Sequence, residues 1–295
     1  MDPFDWPILK SYDEQHLARI ALPLGGIGTG TVSLGGRGNL RDWEIMNRPA
    51  KGFNPGPAFF ALYARPANGP AVTRALEGPL DLNEYEGATG STAQNHGLPR
   101  FRHCHFAAAY PLGQVTLQDA DVPVEVRLQA FNPLIPGDAD RSGLPAAILR
   151  FVLTNTSDRP VTASVCGSLP NFIGMDGSTT DKDRLDNSLP VGARKNVNEF
   201  RGQGLLMRSE GAPPHAPQWG TMALAAAAAA EGITFRTAWR KLSWGDSLLD
   251  FWDDFSAEGE IDECPPPADV DMPVASLAVK QVIPPGGARV VTFLL

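Results

Sequence analysis

Residues 114–131 read QVTLQDADVPVEVRLQAF, and this stretch decides the fold class. Val122, Val124, Val126, Leu128 and Ala130 fall on one face of an extended chain, with Pro123, Glu125, Arg127 and Gln129 on the other. That is the period-2 alternation of a strand with one wet side. Pro123 cannot donate to a ladder, which predicts a place near a sheet edge. Val115 and Leu117, set between Gln114, Thr116 and Gln118, read as the partner strand, joined through a turn at 119–121.

Working outward, the run 146–153 is apolar on both faces and reads as a buried central strand. Thr154, Asn155, Ser157 and Asp158 then make a turn before a strand at 161–165. Further strands are expected at 31–34, 58–64, 204–208, 219–224, 233–239, 275–283 and 290–295, and the alanine run 225–230 reads as strand lined with small residues. The total is roughly a dozen strands at the spacing of antiparallel sheets. One helix stands out at 246–257. Leu248, Trp252 and Phe255 recur there at helical spacing, flanked by Leu249 and Phe251. Asp246 or Ser247 can cap its start and Gly259 its end, while Asp250, Asp253 and Asp254 line a solvated face. The fold class is therefore all-β, a large antiparallel β-sandwich with one short amphipathic helix near 246–257. The segments 83–99, 176–198 and 265–267 read as loops.

The 295 residues are enough for a substantial core without a metal or disulfide staple. Gly 30 and Pro 27 exceed the usual share, which means many turns and few long helices. The balance of 25 basic to 33 acidic residues, net −8, argues against nucleic acid as a partner. No stretch is long and apolar enough to span a bilayer as a helix. The opening MDPFDWPILK lacks the basic and apolar regions of a secretory leader. Cys104, Cys166 and Cys264 are widely spaced and odd in number, as expected of reduced thiols in the cytoplasm.

The least ordinary segment is LPLGGIGTGTVSLGGRGNLRDWEI, residues 22–45, with Gly25, Gly26, Gly28, Gly30, Gly35, Gly36 and Gly38. Gly26, Gly28 and Gly30 give G-x-G-x-G with threonine next, so the dinucleotide fingerprint fails, and no G-K-[ST] follows. No cofactor is expected. Glycine here serves positive-φ turns and close packing of β ribbons, or lets the backbone lie against a ligand or a neighbouring domain. Behind it come Arg37, Arg41, Asp42, Trp43, Glu44, Asn47 and Arg48. On a strand over 39–46, Asp42 and Glu44 share one face. Paired carboxylates beside a tryptophan are what glycoside hydrolysis uses, although a solvated face with Arg41 as counter-ion explains them too. On a strand His103 and His105 share one face and Cys104 points away, so one face offers two ligands where zinc wants three or four, and no metal site is expected. Asp138, Asp140, Asp176 and Asp181 are oxygen-rich but lack a calcium-loop spacing.

The segment 22–45 resembles the entry motif of the N-terminal domain of glycoside hydrolase family 116, the family of non-lysosomal glucosylceramidase and microbial β-glucosidases. Residues 131–155, FNPLIPGDADRSGLPAAILRFVLTN, are similar to that family's P-L-I-P…S-G-L-P block, and RTAWRKLSWGD with DFWDDFSAEGEI fits the late part of the same domain. The resemblance implies a single sandwich domain over 1–295 preceding an (α/α)6 barrel. That barrel, its partner, carries the catalytic Glu and Asp of a retaining mechanism, so no catalytic residue is expected before Leu295. The chain ends on an apolar strand, which reads as the boundary of an N-terminal piece of a longer enzyme. The expected substrate of the whole enzyme is a β-glucoside or a glucosylceramide-like glycolipid. Arg37, Arg41, Asp42, Trp43, Glu44 and Asn47 are then candidates for the substrate entrance or the interdomain contact.

Two alternatives stand beside this reading. One is an autonomous, mutarotase-like sugar epimerase, which needs a histidine acid and a carboxylate base facing one pocket. His96, His103 or His105 with Glu84 or Glu86 are its candidates. The other is a carbohydrate-binding module using Trp43 or Trp219.

Overall fold

The computed structural model describes residues 9–46, 48–84, 97–177, 192–228 and 232–295. Among these residues the chain forms seventeen strands. In order they are β1 (Lys10–Tyr12), β2 (Ala21–Leu24), β3 (Thr31–Gly35), β4 (Leu40–Glu44), β5 (Phe59–Pro66) and β6 (Val72–Ala75). Next come β7 (His103–Ala109), β8 (Leu112–Gln118), β9 (Val124–Phe131), β10 (Ile148–Asn155), β11 (Val161–Pro170) and β12 (Asn196–Arg201). The last are β13 (Gly204–Ser209), β14 (Thr221–Ala226), β15 (Ile233–Arg236), β16 (Val274–Ile283) and β17 (Ala288–Leu294). A helical turn, α1 (Ala139–Ser142), and a longer helix, α2 (Asp246–Glu258), complete the framework.

These strands make an antiparallel nine-stranded sheet, β1-β7-β8-β9-β10-β17-β14-β13-β12, a five-stranded sheet, β15-β16-β11-β5-β6, and a three-stranded one, β2-β3-β4. The five-stranded sheet is a middle layer, and its sequence says why. Phe60, Leu62 and Ala64 on β5 enter the main core between the sheets, while Phe59, Ala61 and Tyr63 enter a second cluster beneath α2. Both faces are covered, so both alternating sets are apolar. Phe60 locks the sandwich: its ring lies 4.9 Å from Phe151 of β10 and 5.0 Å from Phe293 of β17. On the other side Phe251 of α2 stacks on Trp239 at 4.7 Å and meets Phe59 edge-on.

The all-β expectation holds, with differences in detail. Pro123 lies just outside β9, which sits inside the large sheet between β8 and β10 and not near an edge. A proline ahead of a strand forfeits no ladder bond, so it carries no edge information. The wet side of β9 is a cross-strand polar row: Gln129 donates to Gln114 and accepts from Arg150 at 2.7 Å. The strand expected through 239 ends at Arg236, because Trp239 turns inward under α2. β14 stops at Ala226, short of the alanine run's end; residues 229–231 fall outside the described residues. So do 85–96 and 178–191 of the two long expected loops, and β12 already begins at Asn196.

Helix α2 ends as expected at Gly259, φ +75°, whose N–H bonds Phe255 O. Its N-cap is Gly245, with no side-chain cap; the Ser247 hydroxyl accepts instead from Leu242 N–H at 3.0 Å. Asp250 and Asp254 are not a solvated row. They clamp the guanidinium of Arg236, 1% exposed, at 2.9 and 2.7 Å, and Arg236 Nε donates to Asp262 O. No helix among the described residues is long and apolar enough to cross a membrane.

Candidate functional site

The glycine-rich segment folds into the ribbon β2-β3-β4, with residues 25–30 as its first loop. A side chain at Gly26 would put its Cβ 2.3 Å from Leu144 O, so only glycine lets these two backbones touch. Around that contact the segments 23–27 and 132–144 are stitched together. Gly25 N–H donates to Asn132 Oδ1 at 2.8 Å, Asn132 Nδ2 donates to Pro23 O at 2.9 Å, and Ile27 N–H donates to Ser142 O at 2.8 Å. Residues 132–144 hold their own shape. Asp138 caps α1 by accepting from Arg141 N–H, and the Ser142 hydroxyl bonds both the N–H and the carbonyl of Ile135. Asp138 is thus a helix cap, Asp176 pairs with Arg48, and Asp181 lies outside the described residues.

This junction sits at one end of the sandwich. Here β5 and β16 begin and β11 and β15 end, while in the large sheet β9 and β17 end and β10 and β14 begin. Among the described residues, most of the large apolar side chains that stand in solvent lie at this end: Ile27 (63% exposed), Leu144 (52%), Trp244 (100%), and also Tyr110, Ile135, Trp219, Leu242 and, at the tip of β17, Leu294. Between the small ribbon and β14 runs a groove of about 490 Å³. Leu24, Gly30, Ile45, Met222 and Leu295 line it, and no charged side chain does. Trp43 forms part of its wall. The indole, 4% exposed, meets Phe172 edge-on at 5.3 Å, and its Nε1–H has no acceptor among the described residues.

The other expected residues do not gather around Trp43. β4 carries a bulge: Thr31 pairs with Glu44 but Ser33 with Arg41, and Asp42 takes φ +50°. The regular alternation that would put Asp42 and Glu44 on one strand face is broken there. Each instead holds the neighbouring turn, Asp42 Oδ1 accepting from Gly52 N–H at 2.7 Å and Glu44 Oε1 from Ala50 N–H at 2.9 Å. The Lys51 ammonium, then the Ala50 amide, hold the Glu44 carboxyl below the usual carboxylate range. Arg37 is buried among Glu77, Glu84 and, beyond them, Arg100. Burial works against its charge, but the two carboxylates outweigh it and raise its pKa. Arg37 and Arg41 line a separate polar cleft of about 300 Å³. Asn47 lies outside the described residues.

The described epimerase candidates are each placed apart from a shared pocket, His105 being exposed on β7 like His103. His103 stands exposed on β7 and pairs with Glu14 at 3.0 Å, Glu84 is engaged by Arg37, and His96 and Glu86 lie outside the described residues. Among the described residues no three His, Cys, Asp or Glu side chains are grouped to hold a metal.

Residues 21–295 match the sequence profile described as beta-glucosidase 2, glycosyl-hydrolase family 116 N-term. The chain belongs to family 116, as its N-terminal domain. The loop-bearing end of this family 116 domain unites the two segments, 22–45 and 131–155, in which the resemblance was first legible. Among solved structures, a proposed kojibiose phosphorylase from the human microbiome aligns at 8% identity and TM-score 0.35, over 97% of this chain and 25% of the other. A polysaccharide lyase aligns at 11% and 0.39, over 99% and 33%. The chain spans a third or less of the length of these structures.

Sequence reasoning overlooked the apolar rim and the groove behind it. The available signal was large apolar residues (Ile27, Ile135, Leu144, Trp244) inside segments otherwise built of turn formers.

Proposed function

We propose that this domain is the non-catalytic sandwich of a retaining β-glycosidase of the β-glucosidase or glucosylceramidase type. Its loop-bearing end packs on an (α/α)6 catalytic barrel and contributes to the substrate entrance. The observation that carries the reading is the stitching of the glycine-rich segment to residues 132–144 beside a groove lined by no charged side chain and rimmed by exposed apolar ones. A monomeric surface rarely keeps such a rim uncovered. Helix α2 spends Phe251 and Phe255 on the five-stranded sheet and leaves them out of that contact. The catalytic Glu and Asp then lie in the barrel, and Asp42 and Glu44 shape the domain without entering the chemistry. The unpaired cysteines fit a cytoplasmic protein.

The test is turnover of an aryl β-glucoside by the 295-residue chain beside the full-length enzyme. Activity confined to the full-length protein supports the reading. Turnover by the short chain refutes it, and mutarotation of glucose by the short chain establishes the epimerase instead.

A further inference from the structure

The large sheet has a second face. On β9, Val126, Leu128 and Ala130 enter the main core, so Arg127, Gln129 and Phe131 point away from it. On β10, Leu149, Phe151 and Leu153 point in, and Ile148, Arg150 and Val152 point away. A bare outer face leaves its side chains at least partly wet. Here Gln129 and Val152, on central strands of the sheet, are both 0% exposed, and Val152 belongs to neither core cluster. Cross-strand neighbours flank a side chain on a sheet face but do not roof it. Toward the loop-bearing end the register sets Leu112 beside Phe131, Phe131 beside Ile148 and Ile148 beside Leu294, an apolar row over four strands. Arg127 and Arg150 stand on the same face behind that row.

The chain holds a cover of the right length and chemistry. β1 is an edge strand, paired with β7 so that Lys10 stands opposite Ala108. Leu9, half-buried, is therefore level with Ala109, which pairs with Leu112 at the start of the apolar row. Before Leu9 come the eight residues MDPFDWPI. Fully extended, they reach about 26 Å. From β1 to β10 is four strand steps, roughly 19 Å. Phe4, Trp6 and Ile8 fall on one side of an extended chain, and Pro3 and Pro7 favour that extension without needing ladder partners. Asp2 and Asp5 bring two carboxylates to a face that carries two guanidinium groups.

We infer that residues 1–8 form an arm that crosses the outer face of the large sheet, setting Phe4, Trp6 and Ile8 on the row of Leu112, Phe131 and Ile148 and the two aspartates beside Arg127 and Arg150. The arm withholds this face from other chains and from the rest of the enzyme. The inference is independent of what packs on the loop-bearing end.

Native-state thiol labelling of the 295-residue chain and of the full-length enzyme tests this. Val152→Cys places a reporter under the arm, and Gln118→Cys places one at the far end of the same face, where Gln118 stands exposed. Cys104, Cys166 and Cys264 are buried and report any general loosening of the fold. Each variant is made with and without residues 2–8. With the arm present, the thiol introduced at 152 should stay silent toward an aromatic disulfide reagent. Without the arm it should react about tenfold faster or more, the thiol at 118 reacting quickly in both forms and the three native thiols in neither. Phe4→Ser with Trp6→Ser strips the arm of its aromatic contacts at constant length; it should open position 152 in the same way, and it decides the matter if the deletion loosens the whole fold. Equal protection at 152 in the intact and the arm-altered chains overturns the inference, and so does rapid labelling of the intact chain. Labelling that is rapid in the 295-residue chain and slow in the full-length enzyme would make the catalytic part the cover, and protection that fades on dilution would make it a second copy. In either case the arm is not the cover and the inference falls.

Discussion

The carbonyl of Leu144 lies where the Cβ of any residue but glycine at position 26 would have to be, 2.3 Å away. Neither partner is a flexible side chain, so the clash cannot be relieved by a rotamer change. Gly26→Ala is expected to cost about 1–3 kcal/mol, the range for forced overpacking. Gly220→Ala, with open space around it, should cost a few tenths at most. Urea denaturation of the two variants checks the contrast, and equal midpoints would show that the two loops are not held in register.

Arg236 and its aspartates tie α2 to the five-stranded sheet. Arg236→Met removes the buried cation and leaves Asp250 and Asp254 facing an apolar neighbour, at a cost of roughly 3 kcal/mol or somewhat less, since both carboxylates keep partial contact with water. Asp254→Asn in the Arg236→Met background should then be nearly silent. A double-mutant cycle with coupling below about 0.5 kcal/mol would contradict the clamp.

Glu44 gives the domain an acid limb. Its carboxyl titrates below the ordinary value because Lys51 and the Ala50 amide favour the charged form. Its stabilisation is therefore complete above the unfolded value of about 4.3 and is lost as pH falls through the lower folded value. Glu44→Gln should flatten the fall in stability between about pH 5 and 3 relative to the parent, measured by thermal unfolding across that range.

All three cysteines are buried free thiols. Burial, with Glu14 nearby, pushes the Cys104 thiol up to about 12, and burial raises Cys166 and Cys264 as well. The thiolate is the reactive form, so the native chain at pH 8 should release almost no chromophore from an aromatic disulfide reagent, and the urea-unfolded chain three equivalents. Rapid native labelling at any of the three would mean that its surroundings open.

Trp244 stands fully exposed with φ +58°, a conformation unfavourable for a bulky side chain. Trp244→Ala should leave the 295-residue chain as stable as before or slightly better. If the ring is an anchor against the catalytic part, the same change should cost the full-length enzyme about 2 kcal/mol or more. Equal behaviour in both proteins would remove Trp244 from the interface.

The sequence by itself determined the class and most of the strands, because period-2 patterning is set by which residues must leave water. The alternation through Val124 to Ala130 marks a strand with one apolar face, whereas the place of Phe59 to Ala64 in an inner layer emerged only with the two clusters on its faces. It also determined the family, through segments whose glycines and prolines are dictated by local backbone geometry. Tertiary structure alone decided the fate of charges and of the site. Asp250 and Asp254 read as a solvated face until Arg236, from the preceding strand β15, is seen to fold back and fill the space between them. Asp42 and Glu44 read as sharing one strand face until one bulge turns them onto the 50–52 turn. The groove exists only because loops far apart in the chain meet at one end of the sandwich, and a void between loops leaves no periodic trace in any of them.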